Sequence, residues 1–292
     1  CNLDVACYSG WLTPSYGVAG IGTIGISGSI WCTGTLLADT LSPSQIPYFM
    51  TAYHCIGSST KAGSIEVYWL YQRTRCEGAT PDIDDALRTT GGADFLAGRS
   101  SRSGTDFSFL RLRETPPSSA IFAGWSTLRL AESDPVACIH HPSGDFKRIS
   151  FGTITDGPVD PLVASDIQED YFYRIVWDEG TTEPGSSGSP LFSGDDQLFT
   201  GQLYGGTASC QAPFEADYYG RFDLTYPLVE KWLSPDIDPA DVDLSGTVDT
   251  TDVGIVINAA LGLTVAYDAD VDASGTIDAR DIQLTLVAYH EN

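Results

Sequence analysis

The sequence predicts a mainly β fold, followed by a small α-helical domain towards its C-terminal end. Up to about residue 235, short strand-like runs are separated by Gly, Pro, Ser and Asp, a pattern typical of an all-β barrel or sandwich. After Ser234-Pro235 the composition changes, because residues 236–292 carry twelve carboxylates, one arginine and no cysteine. We therefore predict two domains, residues 1–235 and 236–292.

The strand pattern of the first domain can be followed along the chain. Its clearest strand-like runs, in order, are Ile21–Ile26, Ile65–Tyr71, Phe107–Leu112, Val136–His140, Tyr171–Trp177 and Phe199–Tyr204. Helical periodicity is clearest in Leu228–Leu233, directly before Ser234-Pro235. In the second domain, the apolar helical stretches are Val253–Leu261 and Ile282–Tyr289.

The charge of the chain excludes several classes of partner. With 39 acidic and 15 basic residues the formal charge is −24. We therefore expect neither nucleic acid nor an anionic membrane as a partner, because phosphate groups are bound by clusters of Lys and Arg. No run of 18 apolar residues occurs, so the sequence predicts no membrane span.

Seven cysteines stand at positions 1, 7, 32, 55, 76, 138 and 210, and none forms a Cys-x-x-Cys pair. Zinc-ribbon spacing is therefore absent. Disulfides formed in an oxidising compartment are the better interpretation, which predicts a secreted protein. Because the number is odd, one thiol stays unpaired. Cys138 is the candidate, since it stands in an apolar strand-like run where a thiol behaves as a small hydrophobe.

A stretch of small residues surrounds one hydroxyl at Gly185-Ser186-Ser187-Gly188-Ser189-Pro190. Glycines let the backbone turn sharply, so that successive N–H groups can face a developing oxyanion. Ser187 is the candidate nucleophile, because it has glycine both directly after it and two residues before it. A flexible Gly/Ser turn is the alternative for this stretch taken alone.

Two further motifs carry the groups that such a serine requires. His54 follows an apolar run in Met50-Thr51-Ala52-Tyr53-His54-Cys55, and Asp106 begins a strand in Gly104-Thr105-Asp106-Phe107. The chain order His, Asp, Ser is that of chymotrypsin-type barrels. Ser187 would attack a carbonyl, His54 would accept and return the proton, and Asp106 would fix the imidazole tautomer. The backbone N–H groups of Gly185 and Ser187 would form the oxyanion hole.

Over about residues 1–233 the chain resembles the bacterial lysyl endopeptidases, which are secreted serine proteases of the chymotrypsin fold. The motifs that carry the resemblance are Cys1–Cys7, Thr51–Cys55, Thr105–Phe107, His140–Pro142, Lys147–Ser150, Thr182–Pro190, Gly201–Gly206 and Asp217–Arg221. The resemblance implies two antiparallel β-barrels with the active site between them. It also implies the disulfides Cys1–Cys210, Cys7–Cys76 and Cys32–Cys55, with Cys138 free.

The resemblance further implies where substrate is recognised. Asp217 would be the carboxylate at the base of the primary specificity pocket, where it would pair with a substrate cation. Tyr204 stands where the lysyl enzymes have a histidine near that pocket, so an aromatic ring is kept but the residue differs. The chain has only three lysines against twelve arginines, which favours lysine as the residue before the cut or reflects compositional bias. We expect cleavage after lysine.

The acidic C-terminal region contains a repeat. The nine residues from Asp241 to Asp249 recur, with two substitutions, from Asp270 to Asp278. Oxygen-bearing side chains fall at positions 1, 3, 5, 7, 9 and 12 of an EF-hand-like loop, which is the spacing that wraps oxygens around calcium. The candidate ligands are Asp241, Asp243, Ser245, Thr247, Asp249 and Asp252, and then Asp270, Asp272, Ser274, Thr276, Asp278 and Asp281.

An aspartate at position 12 and a loop–helix unit make this region similar to a type I dockerin. The resemblance implies two calcium ions and a cohesin module on a scaffold as the partner. For catalysis itself we expect no cofactor. The alternatives are a broader trypsin-like Lys/Arg endopeptidase, a catalytically silent protease fold used for binding, and a structural calcium adhesin, which would leave the triad unexplained.

Overall fold

The computed structural model describes residues 1–26, 28–41, 46–160, 162–235 and 238–291. The chain divides into two compact units, one of Cys1–Ala38 with Ile46–Val229 and one of Asp39–Gln45 with Glu230–Asn292. The predicted domain boundary between residues 235 and 236 differs from this division, which falls between Val229 and Glu230, inside a helix. Residue 236 itself lies outside the described residues.

The N-terminal half of the first unit is a seven-stranded antiparallel sheet. Its strands are β2 (Val18–Thr23), β3 (Cys32–Leu37), β4 (Tyr48–Ala52), β5 (Ile65–Trp69), β6 (Leu87–Thr89), β7 (Ala93–Arg99) and β8 (Phe107–Leu112). They lie in the order β6-β5-β2-β3-β4-β8-β7, and within the described ranges no ladder joins β6 to β7. The predicted first barrel is therefore a half-barrel, because its edge strands stay unpaired with each other.

The C-terminal half of this unit is a closed antiparallel barrel. Its strands are β9 (Pro135–His140), β10 (Arg148–Ile154), β11 (Phe172–Glu179), β12 (Pro190–Ser193), β13 (Phe199–Gly206) and β14 (Ala216–Arg221). The order β10-β11-β14-β13-β12-β9 closes through pairing of β9 with β10. The short strand β1 (Leu3–Asp4) adds to the outside of β10. The prediction of a mainly β, two-barrel architecture is confirmed in this form.

Each sheet encloses a separate apolar core. Phe49, Trp69 and Leu110 are fully buried in the half-barrel. Ile175 and Leu191 are fully buried in the closed barrel. Burial of such side chains contributes on the order of 2 kcal/mol each, so both halves have cores of their own that can hold loops in fixed positions.

The described residues of the first unit form few α-helices, most of them short. They are α1 (Leu12–Ser15), α2 (Ser59–Ala62) and α3 (Phe222–Leu233), the last of which crosses the division between the units. Helix α3 begins six residues before the predicted Leu228–Leu233, since Pro227 lies inside it and obscures the pattern. Strand β2 ends at Thr23 rather than Ile26, because Gly25 turns the chain at a φ of +84°.

Three disulfides link Cys1 to Cys210, Cys7 to Cys76 and Cys32 to Cys55. They are the pairs that the family resemblance implies. Cys138 is a free, buried thiol in β9, as the sequence predicts.

The described part of the second unit contains α4 (Thr250–Ala260) and α5 (Ala279–Glu291). Each helix follows one of the two acidic loops, and the core of the unit contains Val242, Val256 and Ala269. No helix in the described ranges has the length and hydropathy needed to cross a bilayer.

Candidate active site

His54 and Asp106 come together because β4 and β8 are neighbouring strands. Ala52 at the end of β4 pairs with Phe107 at the start of β8. The next residues of both strands therefore leave the sheet at the same edge. Oδ2 of Asp106 lies 2.6 Å from Nδ1 of His54, and Oδ1 accepts the backbone N–H of His54 at 3.3 Å. A neutral ring that donates from Nδ1 presents a free acceptor at Nε2.

Asp106 is held in an unusual backbone conformation. Its φ is +56°, in the left-handed region that costs a side-chain-bearing residue about 1 kcal/mol. Its carbonyl accepts the N–H of Tyr53 at 2.9 Å, which ties the two strand ends together again. Asp106 is 1% exposed, and burial raises the pKa of its carboxyl, whereas the hydrogen bonds from His54 act in the opposite direction. The His54 side chain is 39% exposed and so accessible to substrate.

Ser187 lies in the turn of residues 183–189, which we call the serine turn. The turn has a φ of +97° at Gly185 and +80° at Gly188. A Cβ on Gly188 would collide with the Thr51 side chain and lie 2.7 Å from the backbone nitrogen of Ala52, so only glycine fits against the end of β4. The carbonyl of Ser187 lies 3.8 Å from Sγ of Cys55, the residue after His54. The structure therefore brings Ser187 beside the end of β4, although its hydroxyl bonds to no residue in the described parts of the chain.

Among the described residues, two N–H groups of the serine turn have no hydrogen-bond acceptor. The N–H groups of Ser186, Gly188 and Ser189 donate to backbone carbonyls at 2.8–2.9 Å. Those of Gly185 and Ser187 have no acceptor among the residues that the structure describes. Two unpaired donors in one turn are the arrangement that can receive an oxyanion.

Asp217 lies in β14 with its carboxylate inside the closed barrel. Oδ2 accepts the indole N–H of Trp177 at 2.7 Å and the hydroxyl of Thr182 at 2.6 Å. Oδ1 is buried without a donor from any described residue. A Cβ on Gly206 would lie 2.5 Å from this oxygen, so a glycine is needed beside it. Burial raises the pKa of Asp217 to about 6, and the two hydrogen bonds oppose that shift.

Tyr204, in β13, contacts the catalytic candidate His54 directly. Its ring meets the His54 ring edge-on at 5.7 Å between centroids and the Phe172 ring at 5.8 Å. The aromatic position therefore flanks the His54 imidazole.

The sequence did not identify Trp177 and Thr182 as the partners of Asp217. Thr182 stands within the family motif Thr182–Pro190. Trp177 belongs to no such motif, and only the pairing of β11 with β14 places it beside Asp217.

The two acidic loops bring together part of the predicted calcium ligands. Carboxylate oxygens of Asp241, Asp243 and Asp252 lie within 4.8 Å of one another. Ser245 Oγ donates to the carbonyl of Thr247 at 3.1 Å on the same loop. The same relations recur in the second loop, with the carboxylates of Asp270, Asp272 and Asp281 and the Ser274–Thr276 bond.

The aspartate at position 9 of each loop does not belong to its cluster of three carboxylates. Asp249 accepts the N–H of Thr251 at 2.6 Å and caps α4, while Asp278 accepts the N–H of Arg280 at 2.7 Å. Both therefore satisfy the first turn of a helix. This is the usual role of an aspartate at a helix N-cap.

Comparisons with known proteins agree with the fold and identify a related family. A family model described as the C-terminal domain of lysyl endopeptidase matches residues 1–220. A lysyl endopeptidase of Pseudomonas aeruginosa strain PAO1 is 35% identical over 217 residues, which cover 71% of this chain and 44% of that protein. The chain thus spans less than half the length of that relative.

Solved structures resemble the chain in fold. A mutant of human heparin binding protein superposes with a TM-score of 0.54 at 17% identity, over 77% of this chain and 95% of that one. The MamO protease domain of Magnetospirillum magneticum gives a TM-score of 0.50 at 15% identity, over 75% of this chain and 98% of that one. At these identities the likeness extends to the chymotrypsin-like fold alone.

Proposed function

The chain belongs to the lysyl endopeptidase family, and from this we propose that residues 1–235 act as a serine endopeptidase that cleaves peptide bonds after lysine. The observation that carries the proposal is the 2.6 Å contact between Nδ1 of His54 and Oδ2 of the buried Asp106. It fixes the imidazole with Nε2 as the acceptor, which is the tautomer that a general base needs.

Ser187 would be the nucleophile. Its Oγ attacks the scissile carbonyl carbon while Nε2 of His54 takes the hydroxyl proton. The tetrahedral intermediate then expels the amine, which receives that proton from His54. A water molecule then attacks the acyl-enzyme in the same way, with His54 again taking and returning the proton, and the serine is restored. Asp106 remains ionised throughout and stabilises the imidazolium ion.

The oxyanion would form beside the N–H groups of Gly185 and Ser187, which have no acceptor among the described residues. Because the backbone of the serine turn is already fixed by its other hydrogen bonds, these donors need little reorganisation during the reaction. Loss of one such donor typically costs on the order of 100-fold in kcat.

Lysine selectivity would come from Asp217. Its buried Oδ1 has no donor among the described residues, and a buried carboxylate without a partner is unfavourable by several kcal/mol. A substrate ammonium would supply the missing partner, whereas a neutral side chain would not. The scarcity of lysine in the chain itself agrees with this preference, since such a protein resists its own cleavage.

Three matched peptides would test the function. They differ only in the residue before the cut, which is lysine, arginine or the neutral isostere norleucine. We expect rapid hydrolysis of the lysyl peptide and at least about 100-fold slower hydrolysis of the norleucine peptide. Equal rates for lysine and arginine would favour the broader trypsin-like enzyme, and equal rates for lysine and norleucine would remove Asp217 from recognition.

A catalytically silent protease fold is the rival from another class. An organophosphate reagent separates the two, because it labels a serine only when a base and an oxyanion hole activate it. We expect stoichiometric labelling of Ser187. Intact protein without label would favour the binding-protein interpretation.

We further propose that the enzyme works outside the cell. Three disulfides within the protease unit support this, since such bonds persist in oxidising compartments.

For the acidic loops we propose one calcium ion each. The donor set fits, because three carboxylates converge within 4.8 Å in each loop and calcium prefers such oxygen ligands. Asp241, Asp243 and Asp252 would hold the ion with Ser245, Thr247 and Asp249, as would their six counterparts from Asp270 to Asp281. A bound ion would offset the mutual repulsion of the carboxylates and so stabilise the loops.

Finally, we propose that the calcium-loaded region is a dockerin-like module that attaches the protease to a cohesin on a scaffold. The 29-residue repeat and the two loop–helix units support this. Apolar side chains also stay exposed in this region, with Leu261 directly after α4 73% and Val287 within α5 46% accessible. Binding of the full chain to a purified cohesin, abolished by a chelator, is the expected result. Calcium-independent binding or no binding would count against it.

A further inference from the structure

A buried histidine lies behind the serine turn and takes no part in the proposed reaction. His140 ends strand β9 and is 0% exposed. Its Nδ1 lies 2.7 Å from Oγ of Ser186, the residue before the nucleophile, and its Nε2 lies 3.3 Å from Oγ of Ser150. Both ring nitrogens therefore have a hydroxyl partner.

The proton directions in this cluster follow from the outer partners. Ser150 donates its hydroxyl proton to the carbonyl of Thr181 at 2.8 Å, so its oxygen is free to accept the N–H of His140 Nε2. A neutral ring protonated at Nε2 is an acceptor at Nδ1, so Ser186 donates to it. Oγ of Ser186 in turn accepts the N–H of Glu183 at 3.1 Å. The result is a continuous chain of hydrogen bonds in one direction.

This chain of hydrogen bonds requires an uncharged His140 imidazole. Burial, together with the nearby Arg148 charge, lowers the pKa of His140 to about 3. The ring is therefore neutral at neutral pH and keeps one donor and one acceptor, as the two serines require.

The two ends of this hydrogen-bond chain flank Thr182, which contacts the proposed specificity carboxylate. Thr181 and Glu183 are anchored on either side of Thr182, whose hydroxyl donates to Oδ2 of Asp217 at 2.6 Å. At the other side, Ser186 directly precedes Ser187, and the backbone carbonyl of Ser186 accepts the N–H of Ser189 at 2.9 Å. One ring therefore reaches both the segment that holds the specificity carboxylate and the turn that carries the nucleophile.

We propose that His140 is a positioning residue that holds the serine turn and Thr182 in place, so that both hydrolysis and lysine recognition depend on this one imidazole. The proposal rests on the proposed function, and it assigns His140 no contact with substrate.

The adjacent His141 provides a matched control. It is equally buried, but its Nδ1 lies 2.9 Å from the carbonyl of Asp145 and its ring stacks on Tyr71 at 6.0 Å. Its side chain makes no hydrogen bond to the described residues of the serine turn. A Phe substitution there perturbs the same part of the core without breaking the proposed chain of hydrogen bonds.

The test uses the full chain and compares His140→Phe, Ser186→Ala, their double variant and His141→Phe on a lysyl peptide. We expect kcat to fall roughly 10- to 100-fold in each of the first two, because sub-ångström displacement of reacting groups has effects of this size. The double variant should lose no more than the worse single one, as expected of residues that act as a unit. His141→Phe should stay within about threefold of wild type. His140→Asn, whose amide can accept from Ser186, should recover part of the loss.

A second measurement does not depend on activity. Amide hydrogen exchange of the peptide spanning residues 181–189 should be roughly tenfold faster in His140→Phe and Ser186→Ala than in wild type and in His141→Phe. Ser186→Ala alone carries the test if His140→Phe does not fold. Unchanged exchange together with kcat values equal to the control overturns the positioning role. A wild-type protein that cleaves no peptide, yet shows this pattern of exchange, overturns the proposed function and leaves the positioning role standing.

Discussion

The Asp106 carboxylate meets the His54 imidazole at 2.6 Å even though Asp106 has a left-handed backbone with a φ of +56°. The conformation is held by the strands on both sides, because β8 begins at Phe107 and the Asp106 carbonyl accepts the Tyr53 N–H. Sheet pairing thus compensates for a local backbone cost at the site where the geometry of a side chain matters most.

Replacing Asp106 by asparagine should abolish most activity without unfolding the protein. Asparagine has the same shape and tolerates a left-handed backbone, so the strand junction should persist. Its amide would donate to Nδ1 of His54 and select the wrong tautomer, which should lower kcat about 10⁴-fold. Steady-state kinetics and a thermal melt would check this. A variant that keeps more than a tenth of the wild-type kcat would contradict the assigned role.

Asp217→Asn should remove the preference for lysine. The amide can still accept from Trp177 and Thr182, so the pocket should keep its form while losing its charge. We expect kcat/KM for the lysyl peptide to fall at least about 100-fold and that for the norleucine peptide to change little. Asp223→Asn is a useful control, since Asp223 pairs with Arg221 near the same strand. An equal loss on both peptides would mean that the substitution damages the site in general.

The same Asp217→Asn substitution should stabilise the unliganded fold in a pH-dependent way. The pKa of Asp217 is raised from an ordinary 3.8 to about 6, so the folded state favours the protonated acid. That contribution to stability is fully present below pH 3.8 and is lost as the pH rises through about 6. Above pH 6 the free energy of unfolding of the variant should therefore exceed that of wild type by at most about 3 kcal/mol. Near pH 4 the two free energies should converge. Urea unfolding at pH 4 and pH 7.5 would measure it; a variant that is less stable than wild type at pH 7.5 would refute it.

Calcium removal should affect the acidic region selectively. Without cations, the carboxylates of Asp241, Asp243 and Asp252 repel one another within 4.8 Å, and the small core around Val256 offers little compensation. We expect a chelator to reduce the circular dichroism at 222 nm and calcium to restore it. The combined variant Asp252→Ala and Asp281→Ala should not respond, whereas Asp195→Ala, an exposed site in the protease unit, should respond like wild type. An unchanged signal on chelation would argue against the calcium sites.

The sequence indicates the candidate reacting groups more clearly than it indicates their setting. His54, Asp106 and Ser187 are recognisable because each stands in a short local motif at the end of a strand. Their meeting depends on the register of β4 against β8, with Ala52 opposite Phe107, which no local pattern specifies. The same holds for Asp217, whose partner Trp177 is supplied by strand β11.

Architecture and boundaries show a similar division. Short strand-like runs between turn residues indicate strands, but whether a sheet closes depends on pairing between its edges, and no ladder joins β6 to β7 in the described half-barrel. Pro227 hides the first half of α3, since proline within a helix interrupts the pattern that identifies it. The disulfide pairs likewise follow from the family resemblance, because seven cysteines allow many pairings.

Cleavage of a mixture of denatured proteins by the full chain tests the central claim most directly. Mass spectrometry would identify the residue before every new C-terminus, with Ser187→Ala protein treated in parallel. We predict cuts after lysine with wild type and none with Ser187→Ala. Cuts spread over neutral residues, or cuts that persist without the Ser187 hydroxyl, would contradict the account.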